Sequence, residues 1–478
     1  MRVSQLAAIA IVASVFSACT KDNPNYCADA NELHNCAAAD AAAHDDRPQA
    51  VDSRLDAEAV DAPADVADTA PESKPPVCVT DDNCAAADAG TPACDTTSDA
   101  GARCVECTDN KHCKGDKPVC DKPHEKCVAC NGVDPTIECK TGTLNVCDTT
   151  TMSCVECVGN ANCSGTKPIC DSQACRACKS DTECGGPGIC LDTGACAADS
   201  QVLYVDFNVN GCPGGDGSSA KPFCNPSDAV AALAPNKLAI VLKGPASGQF
   251  NFDTAPPNPV TIVGRKNAGN EAPAIPLTVF TGVRVNAGSV TVRDLSIGGG
   301  TSSSARGALV SGAAGAVLKM QRVTIDTGSG LGIQADAGTS LALDQCVVKD
   351  NPLGGLFVNG ASYAVENSAF VGNGYGVKFS SPKAPTLFVS NTVAGNTGNA
   401  VTCDAASSQN LIASIVIGFD DSCNVDGSVT TSTTFDASGY HLTAHLACPG
   451  GAPNTVPTYD IDGDSRSAPI DCGADEFK

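Results

Sequence analysis

The chain has no tryptophan, and only 6 tyrosines, 13 phenylalanines and 3 methionines among 478 residues. So few rings argue against an aromatic-lined sugar cleft and favour contacts with protein or matrix. Cations are also scarce: 30 Lys and Arg face 54 Asp and Glu, a formal charge of -24. Nucleic-acid affinity comes largely from Lys and Arg neutralising phosphates, so a nucleic-acid partner is excluded. Anionic lipid headgroups offer such a chain nothing either. No apolar run reaches the roughly 20 residues of a membrane-spanning helix. There is no G-x-S-x-G, no Walker loop and no credible dinucleotide fingerprint, so a nucleotide ligand is not expected.

What the chain does have is 30 cysteines, 46 glycines and 29 prolines. Their compartment is indicated by the N-terminus. Arg2 precedes an apolar run of 11 residues, Leu6 to Phe16, the length of a signal-peptide core. The run ends in Phe16-Ser17-Ala18-Cys19, which resembles the lipobox of bacterial lipoproteins, although Phe16 replaces the usual leucine. The resemblance implies acylation of Cys19 and export to the outer membrane or cell surface, held by a lipid anchor. Thr20 stands where an aspartate would resemble an inner-membrane retention signal.

Composition then divides the chain into 1–18, a lipoprotein signal; 19–77, an acidic stalk; 78–199, five cysteine repeats; and 200–478, a solenoid with caps at both ends. The stalk is rich in Ala, Asp and Pro, with too few large apolar side chains to offset the entropy of ordering it. A disordered, self-repelling spacer is expected there. Cys27 and Cys36 precede its most acidic part and can close a small loop.

The repeats are Cys78, Cys84, Cys94, Cys104, then sets beginning at Cys107, Cys130, Cys157 and Cys178 and ending at Cys127, Cys154, Cys175 and Cys196. Each set ends two residues before the next starts, giving the junctions CVEC, CVAC, CVEC and CRAC. Repeats of about 25 residues bury little core, so cross-links must replace it. Zinc knuckles also carry C-x2-C, but here that pair joins two repeats, and the signal implies an oxidising space. Disulfides are expected, with three connectivities open per set. The array resembles the short cysteine-rich repeats of myxobacterial-type surface lipoproteins.

Beyond Ser200 short apolar segments recur as VRDLSI (292–297), MQRVTI (320–325), LDQCVV (343–348), VENSAF (365–370), VSNTVA (389–394) and IASIVI (412–417), in steps of 28, 23, 22, 24 and 23. A second family runs in parallel: IQAD (333–336), LFVN (356–359), VKFS (377–380) and VTCD (401–404). Such a period with β-branched alternation means a strand solenoid. The segments resemble a right-handed parallel β-helix of the pectate-lyase-like superfamily. An all-β fold is expected, preceded by disulfide-rich repeats with little regular secondary structure. One inward column is Val292, Met320, Leu343, Val365, Val389, Ile412, and another is Ile297, Ile325, Val348, Phe370, Ala394, Ile417. Asp294, Arg322, Gln345, Asn367, Asn391 and Ser414 suit a polar turn. Asn351, Asn373 and Asn396 suit an asparagine ladder. Cys346 belongs inside with Leu295, Val323 and Ile415, as a free thiol. Cys212 with Cys224, Cys403 with Cys423 and Cys448 with Cys472 are the local disulfide candidates.

The entry segment 204–233 and the closing segment 460–477 also resemble β-helix proteins; the latter matches D-x-D-G-x-x-R followed by D-x-G-A-x-E at Asp460, Asp462, Gly463, Arg466, Asp471, Gly473, Ala474 and Glu476. An Asp-Arg-stapled cap is expected. The spacing of Asp460, Asp462 and Asp464 suggests calcium, but Gly463 falls before the third acid rather than after it. No other cofactor is indicated. His441 and His445 lack the Glu of an H-E-x-x-H site.

Enzymes of this superfamily are lyases, hydrolases and epimerases, and the fold alone selects none of them. The outward column runs Arg293, Gln321, Asp344, Glu366, Ser390, Ala413, which makes Asp344 and Glu366 the best candidate catalytic pair, about 5 Å apart on neighbouring strands. The expected role is non-catalytic: a surface scaffold for binding, adhesion or spacing, meeting a protein, matrix or glycan. The alternative is a polysaccharide lyase or glycoside hydrolase.

Overall fold

The computed structural model describes residues 78–477 apart from 86–92, 98–100, 134–138, 140–142, 187, 207–213, 245–247, 266–273, 277–280, 301, 313–314, 405–408, 419–422, 432 and 450–455. Cys19, the acidic stalk and Cys212 lie outside the described residues.

All twenty repeat cysteines are disulfide-bonded. In every set the first pairs with the third and the second with the fourth, from Cys78–Cys94 and Cys84–Cys104 to Cys178–Cys190 and Cys184–Cys196. Sulfur clusters that could have held zinc are therefore cystines. The third and fourth cysteines of the first four sets face each other across antiparallel hairpins, as Cys94 faces Cys104 and Cys120 faces Cys127. A further constraint recurs: the side chains of Asp81, Asn110, Asn160 and Asp181 each accept the N–H of their set's third cysteine at 2.8 Å. Cross-links and one polar anchor thus do the work that a core cannot do at this size.

From Val202 the chain winds into a parallel β-helix. One face is a seven-stranded sheet running from Phe250–Phe252 to Val401–Cys403. The other two faces are the limbs of a bent sheet. The strands Ser289–Gly298 and Val317–Asp326 run through the bend, while later coils break there, as Ser340–Asp344 and Val347–Lys349 do. The bend is a left-handed residue in six successive coils: Asp294, Arg322, Gln345, Asn367, Ser390 and Ala413 have φ between 43° and 59°. Asp and Asn enter that region most easily among non-glycine residues.

Inside, Val292, Met320, Leu343, Val365 and Phe388 stack in register, as do Ile297, Ile325, Val348, Phe370, Val393 and Val416. The last two coils thus differ by one residue from the expected columns: Val389 and Ile412 face outward, and Ser390 and Ala413 form the bend. Phe388 takes the inward place and packs on Phe379 and Phe370, with ring centroids 5.8 and 6.4 Å away. Cys346 is a buried free thiol, pushed up to about 12 by burial. Its column continues into Ser368, Asn391 and Ser414 rather than Ile415, each side-chain oxygen accepting the backbone N–H of the coil before at 2.9–3.1 Å.

The asparagine ladder is formed. Asn373 Oδ1 accepts the Asn351 backbone N–H (3.0 Å) and Nδ2 (2.8 Å), and Asn396 Oδ1 accepts the Asn373 N–H at 2.8 Å. The left-handed residue is the one before each asparagine: Asp350, Gly372 and Gly395.

The ends are closed differently. A helix, Pro226–Ala231, with proline in its first turn, buries Pro226 and Ala229 near the first coil. The described residues between 429 and 475 fold over the outward face of the last coils, where Val389, Ala413 and Ile415 join Val429, Leu442 and Val456 in a second apolar cluster. Cys403–Cys423 and Cys448–Cys472 are disulfides, and Cys224 is disulfide-bonded.

Candidate functional site

Parallel pairing lines up the outward column as Arg293, Gln321, Asp344, Glu366, Val389 and Ile412. Its two ends are covered by other parts of the chain. At the first coils the fifth cysteine repeat lies on the sheet: Ile189, Leu191 and Ala197 share a buried cluster with Val202, Tyr204, Ala239, Val241 and Val263. Arg293, with a side chain 8% exposed, is locked into that contact, donating through Nη2 to Asp181 Oδ1 and to the Cys190 carbonyl, both at 2.6 Å. Lys319 pairs with Asp192 beside it. At the last coils the C-terminal segment buries Val389.

What stays partly open is the short strip Gln321, Asp344, Glu366. Asp344 and Glu366 are direct neighbours. Asp344 Oδ2 accepts from Gln321 Nε2 at 3.0 Å and from the Tyr459 hydroxyl at 3.3 Å, while its Oδ1 is buried without a hydrogen-bond partner. Burial, and then the Asp344 charge, raise the Glu366 carboxyl above its ordinary range. Burial and the Asp344 carboxylate likewise push the Tyr459 hydroxyl up to about 12. Next to the strip a cleft of about 340 Å³ opens between the fifth repeat and the sheet, lined by Lys179, Leu191, Asp192, Arg293, Gln321 and Arg322. Arg322 is committed to Asp294, with bonds of 2.6 and 3.0 Å.

Chemically, the strip offers one carboxyl inclined to keep its proton beside a hydrogen-bonded carboxylate. Both stand on one face of the sheet, side by side rather than across a groove. Residues 281–435 match the family model described as "Right handed beta helix region". That match places a right-handed β-helix on the coils that carry the acid pair and says nothing of their activity. No curated protein and no solved structure matches the chain.

The closing motif is a folding device. Arg466 is fully buried and donates to the carbonyls of Tyr459, Asp471, Gly473 and Ala474, to Asn367 Oδ1 and to Glu476 Oε2. Its carboxylate partner is Glu476; the expected Asp-Arg staple is thus an Arg-Glu pair seated among carbonyls. Asp471 meanwhile accepts from the amides of Leu446 and Phe477 and pairs with His445. Of the proposed calcium acids, Asp460 is buried while Asp462 and Asp464 are exposed. His441 stands between Asp436 and Asp462.

The sequence pointed neither to Tyr459 nor to the bond from Gln321 to Asp344 nor to the locking of Arg293. Tyr459 directly precedes the closing motif, but nothing in that motif says on which coil it lands.

Proposed function

We propose that this chain is an exported lipoprotein, anchored through Cys19 at the bacterial outer membrane or cell surface, that holds a non-catalytic β-helix away from the membrane as a binding, adhesion or structural scaffold. The observation that carries this reading is the occupation of the outward face by the chain's own modules. The fifth repeat locks Arg293 at one end and the C-terminal segment covers Val389 at the other, leaving a strip in which Asp344 is already bonded to Gln321 and Tyr459. A surface built this way suits a rigid display element better than a long substrate groove. The disulfide density fits an extracellular, oxidising milieu.

One observation favours an enzyme instead: Glu366, biased towards its protonated form beside Asp344, has the bias a general acid requires. The two readings separate in one experiment. The full chain, expressed in a bacterial host with labelled palmitate, is expected to take up label at Cys19, to lose it in Cys19→Ser, and to leave a broad polysaccharide panel uncut. New reducing or unsaturated ends that vanish in Asp344→Ala or Glu366→Ala would replace the scaffold with a polysaccharide-processing enzyme. Absence of label would remove the lipid anchor.

A further inference from the structure

The C-terminal cap gathers four carboxylates around one imidazole. His441 Nδ1 lies 3.3 Å from Asp436 Oδ2, and its Nε2 lies 3.1 Å from Asp462 Oδ2. Asp475 is buried beside them, accepting the Leu442 N–H at 2.6 Å, close enough to feel the charges of Asp460, Asp462 and His441. Asp460 is 1% exposed. Its Oδ1 accepts the N–H groups of Asp462 (3.0 Å) and Asp464 (2.8 Å), but its Oδ2 is buried with no hydrogen-bond partner. His441 Nε2 is also buried and faces that Asp462 oxygen without the alignment of a hydrogen bond. The nearby guanidinium of Arg466 is spent on Glu476, Asn367 and four carbonyls and forms no ion pair with Asp460.

A buried carboxylate oxygen is ordinarily paired, hydrogen-bonded or bound to metal. Here one is left over, beside carboxylates whose mutual repulsion the charges of Arg466 and His441 offset only from a distance. We propose that Asp460 Oδ2, with the carboxylates of Asp462 and Asp475, binds a hard divalent cation, calcium, in the C-terminal cap. Carboxylate oxygens are the donors calcium prefers, and Asp462 stands at the surface, where water completes the shell. The ion neutralises the cluster and pins the 460–464 turn to the Asp475 segment. His441 keeps its place beside Asp462 Oδ2. The affinity expected of an extracellular module is about 10⁻⁴–10⁻³ M.

The test uses the full chain with its disulfides intact, stripped with EDTA. Calcium chloride is titrated in by calorimetry and the unfolding temperature is followed by scanning calorimetry, with magnesium and zinc chloride as parallel arms. One equivalent of calcium should bind and raise the unfolding temperature by several degrees. Asp462→Asn, an exposed position whose replacement leaves the cap's buried bonds intact, should weaken binding at least about tenfold, and Asp475→Asn should do the same. Three results would overturn the proposal. No saturable heat and no thermal shift with any ion would leave the Asp460 oxygen to water. Unchanged affinity in Asp462→Asn would put the calcium elsewhere. Zinc binding abolished by His441→Gln, with calcium silent, would make this an imidazole site rather than a hard-ion one.

Discussion

Replacing Asn373 by alanine tests whether the asparagine ladder holds the coils together or merely decorates them. The side chain is buried, and its amide makes three bonds: two accepted from Asn351 and one donated to the Val348 carbonyl at 2.9 Å. Alanine leaves the Asn351 backbone N–H with no acceptor in a dry interior, a loss of about 1–3 kcal/mol. The Asn351 side chain suffers less, because its Nδ2 still reaches the Lys349 carbonyl at 2.8 Å. Adding the lost bond to Val348 and the small void brings the total to about 3–4 kcal/mol. For a domain of this size each kcal/mol moves the unfolding temperature by about 2–4 °C, so a drop of about 6–16 °C is expected by scanning calorimetry. Asn396→Ala, at a half-buried rung where water can substitute, should lose less than half of that. Equal shifts at both rungs, or a drop under about 2 °C at Asn373, would refute the argument that buried ladder bonds stabilise the solenoid.

Glu366→Gln should stabilise the fold at pH 7 and leave it unchanged below pH about 4. A carboxyl raised by burial favours the fold while protonated, and that contribution disappears as pH rises through its folded value; melting curves at the two pH values decide it. Arg293→Ala should loosen the fifth repeat. Asp181 keeps its bond to the Cys190 N–H, so the loss is about 2 kcal/mol, and hydrogen exchange at Leu191 should quicken roughly thirtyfold; unchanged exchange would mean that the apolar contact alone holds the module. Reduction should collapse the first four repeats while the β-helix ladder stays protected from exchange. Each repeat bridge closes a loop of 12–20 residues and is worth about 3 kcal/mol, in modules with little else to hold them. Simultaneous loss of both regions would show that the repeats carry the solenoid's stability.

The coil period was legible because stacking demands it: inward positions recur at one residue per turn of the solenoid, and the columns from Val292 to Val365 follow from that alone. The slip at Val389 has a physical origin. Where the C-terminal segment covers the sheet, the outward face is apolar as well, so the alternation that sets register vanishes and Phe388-Val389 can be read either way. Disulfide partners were not legible, since all three pairings of a set satisfy the same spacings. Adjacency of Asp344 and Glu366 followed from the 22-residue step. The groups that condition the pair did not: Tyr459 arrives from 115 residues away, and the repeat whose Asp181 locks Arg293 belongs to a module that looks self-sufficient by its cysteines.

Crossing the bridges first-to-third and second-to-fourth has a topological result. Within each repeat, every peptide bond between the first and last cysteine is straddled by at least one disulfide. A protease that nicks any such bond opens a loop without severing the strand. Only the two-residue junctions, such as Val105-Glu106, lie outside every ring. The same wiring limits extension under tension, since pulling the ends can straighten only what the rings leave free. An array wired this way can be nicked inside a repeat, or pulled at its ends, and still remain a single covalent strand.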